Sequence, residues 1–322
     1  VSILEQVGLA VSSIFAEGCM FGIMVLGVFI TFRVLDFPDL TVEGSFPLGA
    51  AIMANFIVHG DSPLLAVFVA FLGGVLAGMA TAVMHNELKI PNLLAGILTM
   101  IMLYSINLRI LGSSNVPLFN NRTILTDVRG SLSTAFGFPT LVSDAIFFIL
   151  LVFGVKILID LFFRTDLGLT LGALGNNQQM IVSQGVNPKA LKIIGVGLSN
   201  GLVALAGSFN AQYQGFGDVQ LGQAIIIAGL ASVMIGEFLI RSNKIFWLTL
   251  NVILGSIIFN AVMYGARVII SLPGVNFIAA SDLKIVQVLL VVLCLILIRV
   301  RTMAREKRGE RRVRRGGSHG QA

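Results

Sequence analysis

Apolar runs close to the length of a bilayer crossing recur almost end to end along this chain. They fall at about 8–32, 45–58, 63–85, 92–111, 143–163, 190–212, 220–240, 245–270 and 284–300. A helix needs roughly 20 mostly apolar residues to cross the hydrocarbon core. The rest of the composition agrees: 12% of residues are charged and 56% are hydrophobic, whereas soluble domains carry roughly 25% charge. The expected fold is an all-α polytopic membrane protein of about nine transmembrane segments over 1–301, followed by a basic tail over 302–322. Small residues recur within the runs, as in `GGVLAGMATA` (73–82) and `GVGLSNGLVALAG` (195–207). Helices in lipid associate through close backbone approach at such residues.

The polar inventory excludes several kinds of chemistry. Cys19 and Cys294 both lie inside apolar runs, and His59, His85 and His319 share no ligand spacing, so a disulfide framework, a zinc site or a redox centre is not expected. No `GxxxxGK[ST]` phosphate loop and no `GxGxxG` opening a helix is present, so ATP would have to be handled by another subunit. No convergent His/Asp/Ser set suggests an enzyme. No cofactor and no nucleic-acid partner are expected.

Charge asymmetry gives an orientation. Nine Lys/Arg lie between Arg299 and Arg315 against Glu306 and Glu310, while the remainder of the chain is near neutral. Cytoplasmic loops are enriched in Lys/Arg. With the tail inside, Arg33, Lys89, Arg164, Lys189, Lys192, Arg241 and Lys244 fall on the inner side. Arg109, Arg122, Arg129, Arg267 and Lys284 fall outside, as does the N-terminus. Lys156 lies within a span, four residues before Asp160, where the two could pair on one helix face. The tail itself reads as a membrane-lipid anchor or a disordered extension.

Two polar segments interrupt the pattern. Residues 112–142 form an outer segment, expected as a short helix or hairpin over a pore mouth, or as a simple connector. Residues 164–190 form an inner segment that reads as helix, break, helix. Thr165 or Asp166 can cap the first helix, and Gly175, Asn176 and Asn177 stop and restart it. Gly185 ends the second, and Asn187-Pro188 opens the next span. Its polar side is Asn and Gln rather than Lys, which suits a protein-docking surface better than a membrane-lying connector.

On `LDFPDLTVEGSFPLGAA` (35–51), `HNELKIPNLLAGILTMIMLYSINLRILG` (85–112), `RTDLGLTLGALGNN` (164–177) and `SQGVNPKALKIIGVGLSNGLVALAGSFNAQYQGFGDVQLGQ` (183–223), the chain resembles a known family. These are the permeases of ATP-binding-cassette importers for branched-chain amino acids, ribose, nucleosides and related solutes, and the likeness is to the tryptophan-import subgroup in particular. The resemblance implies a type II-like importer fold in a bacterial inner membrane, with cytoplasmic ATPase subunits as partners. It also implies a periplasmic or lipid-anchored solute-binding protein and a second permease copy, expected as a homodimer. Residues 164–190 would then be the coupling region, with Leu174, Gly175, Asn176, Asn177, Gln178 and Met180 at the ATPase contact. The chain departs from the family pattern at Gly172, where an arginine is common, and at Asn176, where Asp is frequent.

One stretch stands apart: `RVLDFPDLTVEGSFPLGAAIMA` (33–54) places Asp36, Asp39, Glu43 and two prolines between apolar runs. A helix from Gly44 to Val58 would be about 22 Å long, short of the ~30 Å core. The expectation is a discontinuous span broken at 36–47, with Ser45 capping the restarted helix and Pro47 in its first turn. Irregular backbone at membrane depth is tolerated where protein or a water-filled cavity covers it, and transporters use such breaks at substrate sites. A plain cytoplasmic turn is the alternative. `FGDVQLGQAIIIAGLA` (216–231) has a similar grammar, so a related break is expected at 215–223. Candidate path residues are Asp36, Asp39, Thr41, Glu43, Ser45, Asn210, Tyr213, Phe216 and Asp218.

Two functions fit these features. One is the permease subunit of a binding-protein-dependent importer for a small solute, with aromatic amino acids first and branched-chain amino acids or nucleosides next. The other is an ion-coupled secondary transporter holding a proton or sodium ion on Asp36, Asp39, Glu43 or Asp218.

Overall fold

In the computed structural model the apolar runs are helices; the structure describes residues 3–119, 121–137, 139–239, 244–270, 285–293 and 296. Helix α1 (Ile3–Phe29) is prolonged by a π-helical turn, Ile30–Val34. It is followed by α2 (Val42–His59), α3 (Pro63–Leu88) and α4 (Asn92–Leu111). After strand β1 (Asn115–Pro117) come α5 (Ile124–Phe136), α6 (Thr140–Phe162), α7 (Asp166–Asn176), α8 (Gln178–Ser183) and α9 (Pro188–Gln214). Strand β2 (Phe216–Asp218) and a 3-10 turn (Val219–Gly222) lead into α10 (Ile225–Leu239) and α11 (Ile245–Ile270).

Among the described residues seven helices are long and apolar enough to cross a membrane: α1 with its π turn, α3, α4, α6, α9, α10 with its 3-10 turn, and α11. The expected nine is therefore not established. The first difference is α2, with 18 residues or about 27 Å, which carries Glu43, Asn55 and His59. It can afford those polar groups because protein surrounds it; nearly its whole length is buried between α3, α4 and α9. The second is 284–300, of which only 285–293 and Ile296 are described, all helical. The basic tail, Arg241, Lys284 and Cys294 lie outside the described residues.

α9 is the central helix, packed against α1, α2 and α3. The small-residue runs make that packing possible. A Cβ built on Gly49 of α2 would lie 1.8 Å from the Ala204 carbonyl oxygen, and one on Gly207 would lie 1.9 Å from that of Phe46. On α3, Cβ atoms on Gly74 and Gly78 would lie 2.4 and 2.3 Å from the carbonyl oxygens of Asn200 and Val196. Backbones this close maximise dispersion contact, which is what holds helices together when lipid removes any hydrophobic drive.

The 112–142 segment contains the expected short helix but no hairpin of its own, because its one strand pairs with a distant one. β1 pairs antiparallel with β2, Asn115 opposite Asp218, and α5 opens with a capping box between Thr123 and Thr126. Arg129 of α5 grips Asp144 at the head of α6 with two hydrogen bonds of 2.7 and 2.8 Å. Gly215, with φ +77, ends α9 in a conformation that glycine adopts without a Cβ clash. Its carbonyl then accepts from the Leu118 amide at 2.8 Å.

The inner segment is helix, break, helix. Thr165 Oγ1 accepts from the Gly168 amide, Asn177 Oδ1 from Met180 and Asn187 Oδ1 from Lys189, so that each side chain caps its helix. The chain divides into two units, Val1–Tyr264 and Gly265–Ala322, and every residue discussed below belongs to the first.

Candidate translocation site

The first break is shorter than expected and the helix after it starts earlier. Only 35–41 is non-helical, and α2 begins at Val42 with Thr41 as its N-cap residue. Ser45 is therefore not the cap. It lies inside α2 and donates from Oγ to Asn200 Oδ1 at 2.7 Å. Pro47 is likewise inside the helix, beyond its first turn, and has no N–H to offer the Glu43 carbonyl.

What holds 35–41 in place is burial against three neighbours. A Cβ on Gly175 of α7 would meet the Val34 carbonyl oxygen at 2.0 Å. Gly195 of α9 packs on Leu35, and Gly96 of α4 lies under Asp39 and Leu40. Asp39 is 0% exposed. Its Oδ1 accepts from the Thr41 amide at 2.9 Å and its Oδ2 from Asn200 Nδ2 at 2.6 Å. The hydroxyls of Thr41, Thr81 and Thr99 continue the network at 2.7 and 2.9 Å. A carboxylate that lipid would reject is thus held by protein donors.

The second break, 215–223, also has a definite geometry. β2 and the 3-10 turn are followed by α10, only 15 residues long or about 22 Å, so 219–224 makes up part of the depth of a ~30 Å core. This second break packs on the start of α2: a Cβ on Gly222 would lie 1.9 Å from the Glu43 carbonyl oxygen and 2.8 Å from Pro47 Cδ. The Ala224 backbone N–H donates to the Glu43 carboxylate, and Ala224 itself has φ +61.

Beside that contact lies a cavity of about 300 Å³ lined by Glu43, Gly44, Pro47, Met100, Ile101, Tyr104, Asn107, Val219, Gly222 and Gln223. Met100 and Asn107 stand about 12 and 23 Å along α4 from Asn92, which puts the cavity inside the ends of that apolar helix.

The expected path residues therefore separate. Asp39, Thr41 and Ser45 share one network with Asn200, while Glu43 faces the cavity. Asp36 is exposed with φ +50. Asp218 caps the 3-10 turn through the Gln220 amide and accepts from Asn115 at 3.0 Å. Phe216 is in β2 opposite Pro117. Asn210 is buried and accepts from Gln214 at 2.9 Å, and the Tyr213 ring meets Phe148 edge-on. Among the described residues no group of three or more His, Cys, Asp or Glu could hold a metal ion.

Asn200, Thr81, Thr99, Tyr104, Asn107 and Gln223 were not singled out from sequence. The available signal was a polar side chain inside an apolar run, which is itself a marker of function or tertiary bonding in membrane helices. The residues expected at an ATPase contact differ in exposure. Leu174 is buried, Gly175 abuts Val34, and Asn176, Asn177, Gln178 and Met180 are exposed.

A bundle of apolar helices interrupted by two irregular segments, the second packed on α2 beside a cavity, fits a transport permease. The family model described as the permease component of branched-chain amino acid transport systems matches residues 10–300. The chain belongs to this family: it is a multi-pass membrane permease of an ABC transport system and not an enzyme. Membership implies ATPase subunits and a substrate-binding protein as partners.

Among similar proteins, the tyrosine transport system permease protein of Clostridioides difficile (strain R20291) is 41% identical over 87% of this chain and 88% of its own. "Uncharacterized protein RP368" of Rickettsia prowazekii (strain Madrid E) is 30% identical over 68% of this chain and 74% of its own. A solved structure described as an inward-facing conformation of a metal-chelate type ABC transporter aligns over 94% of this chain and 90% of its own, with 17% identity and a TM-score of 0.47.

Proposed function

We propose that this permease imports an aromatic amino acid, tyrosine first, through a path that passes the Glu43–Gly222 contact. The observation that carries the cargo is the 41% identity, spread over nearly the whole chain, to a permease named for tyrosine transport. Two copies of the permease form the complex, with the inner segment 164–190 of each docked on a cytoplasmic ATPase. Exposure of Asn177, Gln178 and Met180 at the end of the bundle that also holds 35–41 supports that docking. The ion-coupled alternative is less well supported. Its four carboxylates do not converge: Asp36 is exposed, Asp39 is locked by Asn200 and Thr41, and Asp218 belongs to the β1–β2 pair.

The test is ATP-dependent uptake by proteoliposomes holding the permease, its ATPase and its binding protein. Labelled tyrosine should accumulate, with unlabelled tyrosine and tryptophan competing and leucine competing weakly. Uptake that follows leucine and ignores aromatic competitors would overturn the cargo.

A further inference from the structure

We infer that the cavity between α2, α4 and the 219–223 turn is a recognition site for the ammonium group of the transported amino acid. Glu43 and Asn107 are the acceptors and Tyr104 is the wall against which the side chain lies. The inference rests on the amino-acid reading above and adds to it the chemical group that the membrane path selects.

The first support is an unused acceptor. Asn107 is 0% exposed; its Nδ2 donates to the Gly44 carbonyl at 3.1 Å, which fixes the amide, and its Oδ1 has no partner. A buried acceptor left unpaired is unfavourable, so a ligand that donates there satisfies it. The second is the Glu43 carboxylate on the same cavity wall. It takes the Ala224 N–H, and an ionised carboxylate offers about four lone-pair positions, so acceptor capacity remains. Ala224 is held in the left-handed region, a conformation that persists for a non-glycine residue where surrounding structure enforces it, commonly at ligand sites.

The lining also excludes alternatives. It contains one carboxylate, amides, a phenol and apolar groups, and no Lys, Arg or His. An anion would therefore meet Glu43 without a compensating cation, while an ammonium meets two acceptors and the Tyr104 ring, whose face attracts cations. Tyr104 and Ile101 are 49% and 58% exposed, so the cavity is open on the α4 side. The sulfur of Met100 adds a favourable partner for an aromatic side chain. A volume of about 300 Å³ is at the small end of ligand sites (~300–1,000 Å³), matched to a single amino acid.

The experiment uses the permease–ATPase complex with both native cysteines replaced by serine and Ile101→Cys as reporter. Labelling by a water-soluble thiol reagent is timed with and without ligand, without binding protein, so that only the membrane path selects. Tyrosine, leucine and tyramine, which keep the amine, should each slow labelling several-fold. 3-(4-Hydroxyphenyl)propionate, which lacks it, should not, and Glu43→Gln should abolish protection by tyramine.

Equal protection by the amine and its amine-free analogue, or none by either, overturns the site, and so does tyramine protection that survives Glu43→Gln. The wild-type ligand series decides the question even if that variant fails to assemble. Protection by leucine without tyrosine uptake in proteoliposomes would fault the cargo and uphold the cavity. Tyrosine uptake without amine-specific protection would fault the cavity alone.

Discussion

Asn200 Nδ2 donates to Asp39 Oδ2 at 2.6 Å, joining the middle of the central helix to the loop that enters α2. The same Asn200 accepts from Ser45 through its Oδ1, so one amide side chain fixes both the loop and the first turns of the helix after it. Gly78 allows this, because a Cβ there would lie 2.9 Å from both Asn200 Cβ and Nδ2. The loop is shaped by tertiary bonds more than by its own turn chemistry.

Polarity in this bond can be reversed but not duplicated. Asp39→Asn places an NH₂ group against the Asn200 NH₂, leaving a buried donor unpaired at a cost of about 1–3 kcal/mol. The detergent-purified protein should melt at a lower temperature and transport poorly. The exchange Asp39→Asn with Asn200→Asp restores a donor facing an acceptor and should recover much of the loss. Wild-type melting of the single variant, or no recovery in the exchange, would show that the bond does not hold the loop.

Glycine on α2 should be far less replaceable than glycine on α6. Gly49→Ala drives a methyl into the Ala204 carbonyl oxygen, with backbone on both sides and no flexible side chain to move. Gly154 has nothing within 4 Å of the same added atom, and alanine there should be neutral or stabilising by up to ~1 kcal/mol. Yield of monodisperse protein on size exclusion should collapse for the first and hold for the second. Equal yields would mean that α2 and α9 can separate at no cost.

How much of this could be read in the chain depends on the range of each interaction. Thr165, Asn177 and Asn187 cap their helices through amides two or three residues away, so local sequence is enough to find them. Ser45 looks like the same signal, yet its partner Asn200 lies 155 residues on, and nothing local reveals that. α2 begins earlier than its sequence suggests for the related reason that Val42 and Glu43 look unsuited to opening a buried half-span. Here Gly222 and Ala224 meet Glu43. Tyr104 and Asn107 are visible as polar groups in an apolar helix, but hydropathy does not say which neighbour they face; that needed α2 and the 219–223 turn in place.

The ATPase contact should fail through surface chemistry, leaving the fold intact. Gln178 and Met180 are exposed on α8, and Ile181 beside them is buried. Gln178→Asp with Met180→Asp adds two carboxylates to a face that currently presents amides and a thioether, at exposed positions. The permease should insert and melt normally while copurified ATPase and coupled hydrolysis fall several-fold. Leu174→Asp, at a buried position, should instead lower the yield of the permease itself. Undiminished ATPase recovery with the double variant would reduce α7 and α8 to a connector.

The Lys156–Asp160 pair supplies the last test, because its charges are worth more together than apart. Both residues are on α6, Lys156 1% and Asp160 7% exposed, and they form an ion pair. Thr249 of α11 donates to Asp160 Oδ1 at 2.7 Å, and the Lys156 ammonium sits 3.7 Å from the centroid of the Phe246 ring. The pair thereby links α6 to α11 as well as neutralising itself. Removing one partner of a buried pair strands the other, at about 3–5 kcal/mol, whereas replacing both with apolar groups is often neutral. Lys156→Met and Asp160→Leu should each lower the melting temperature markedly, and the double variant should recover most of the loss. The residual deficit then measures the Thr249 and Phe246 contacts, which the double variant also lacks. A double variant as unstable as the worse single would mean that Asp160 acts mainly as the acceptor for Thr249, with the ion pair incidental.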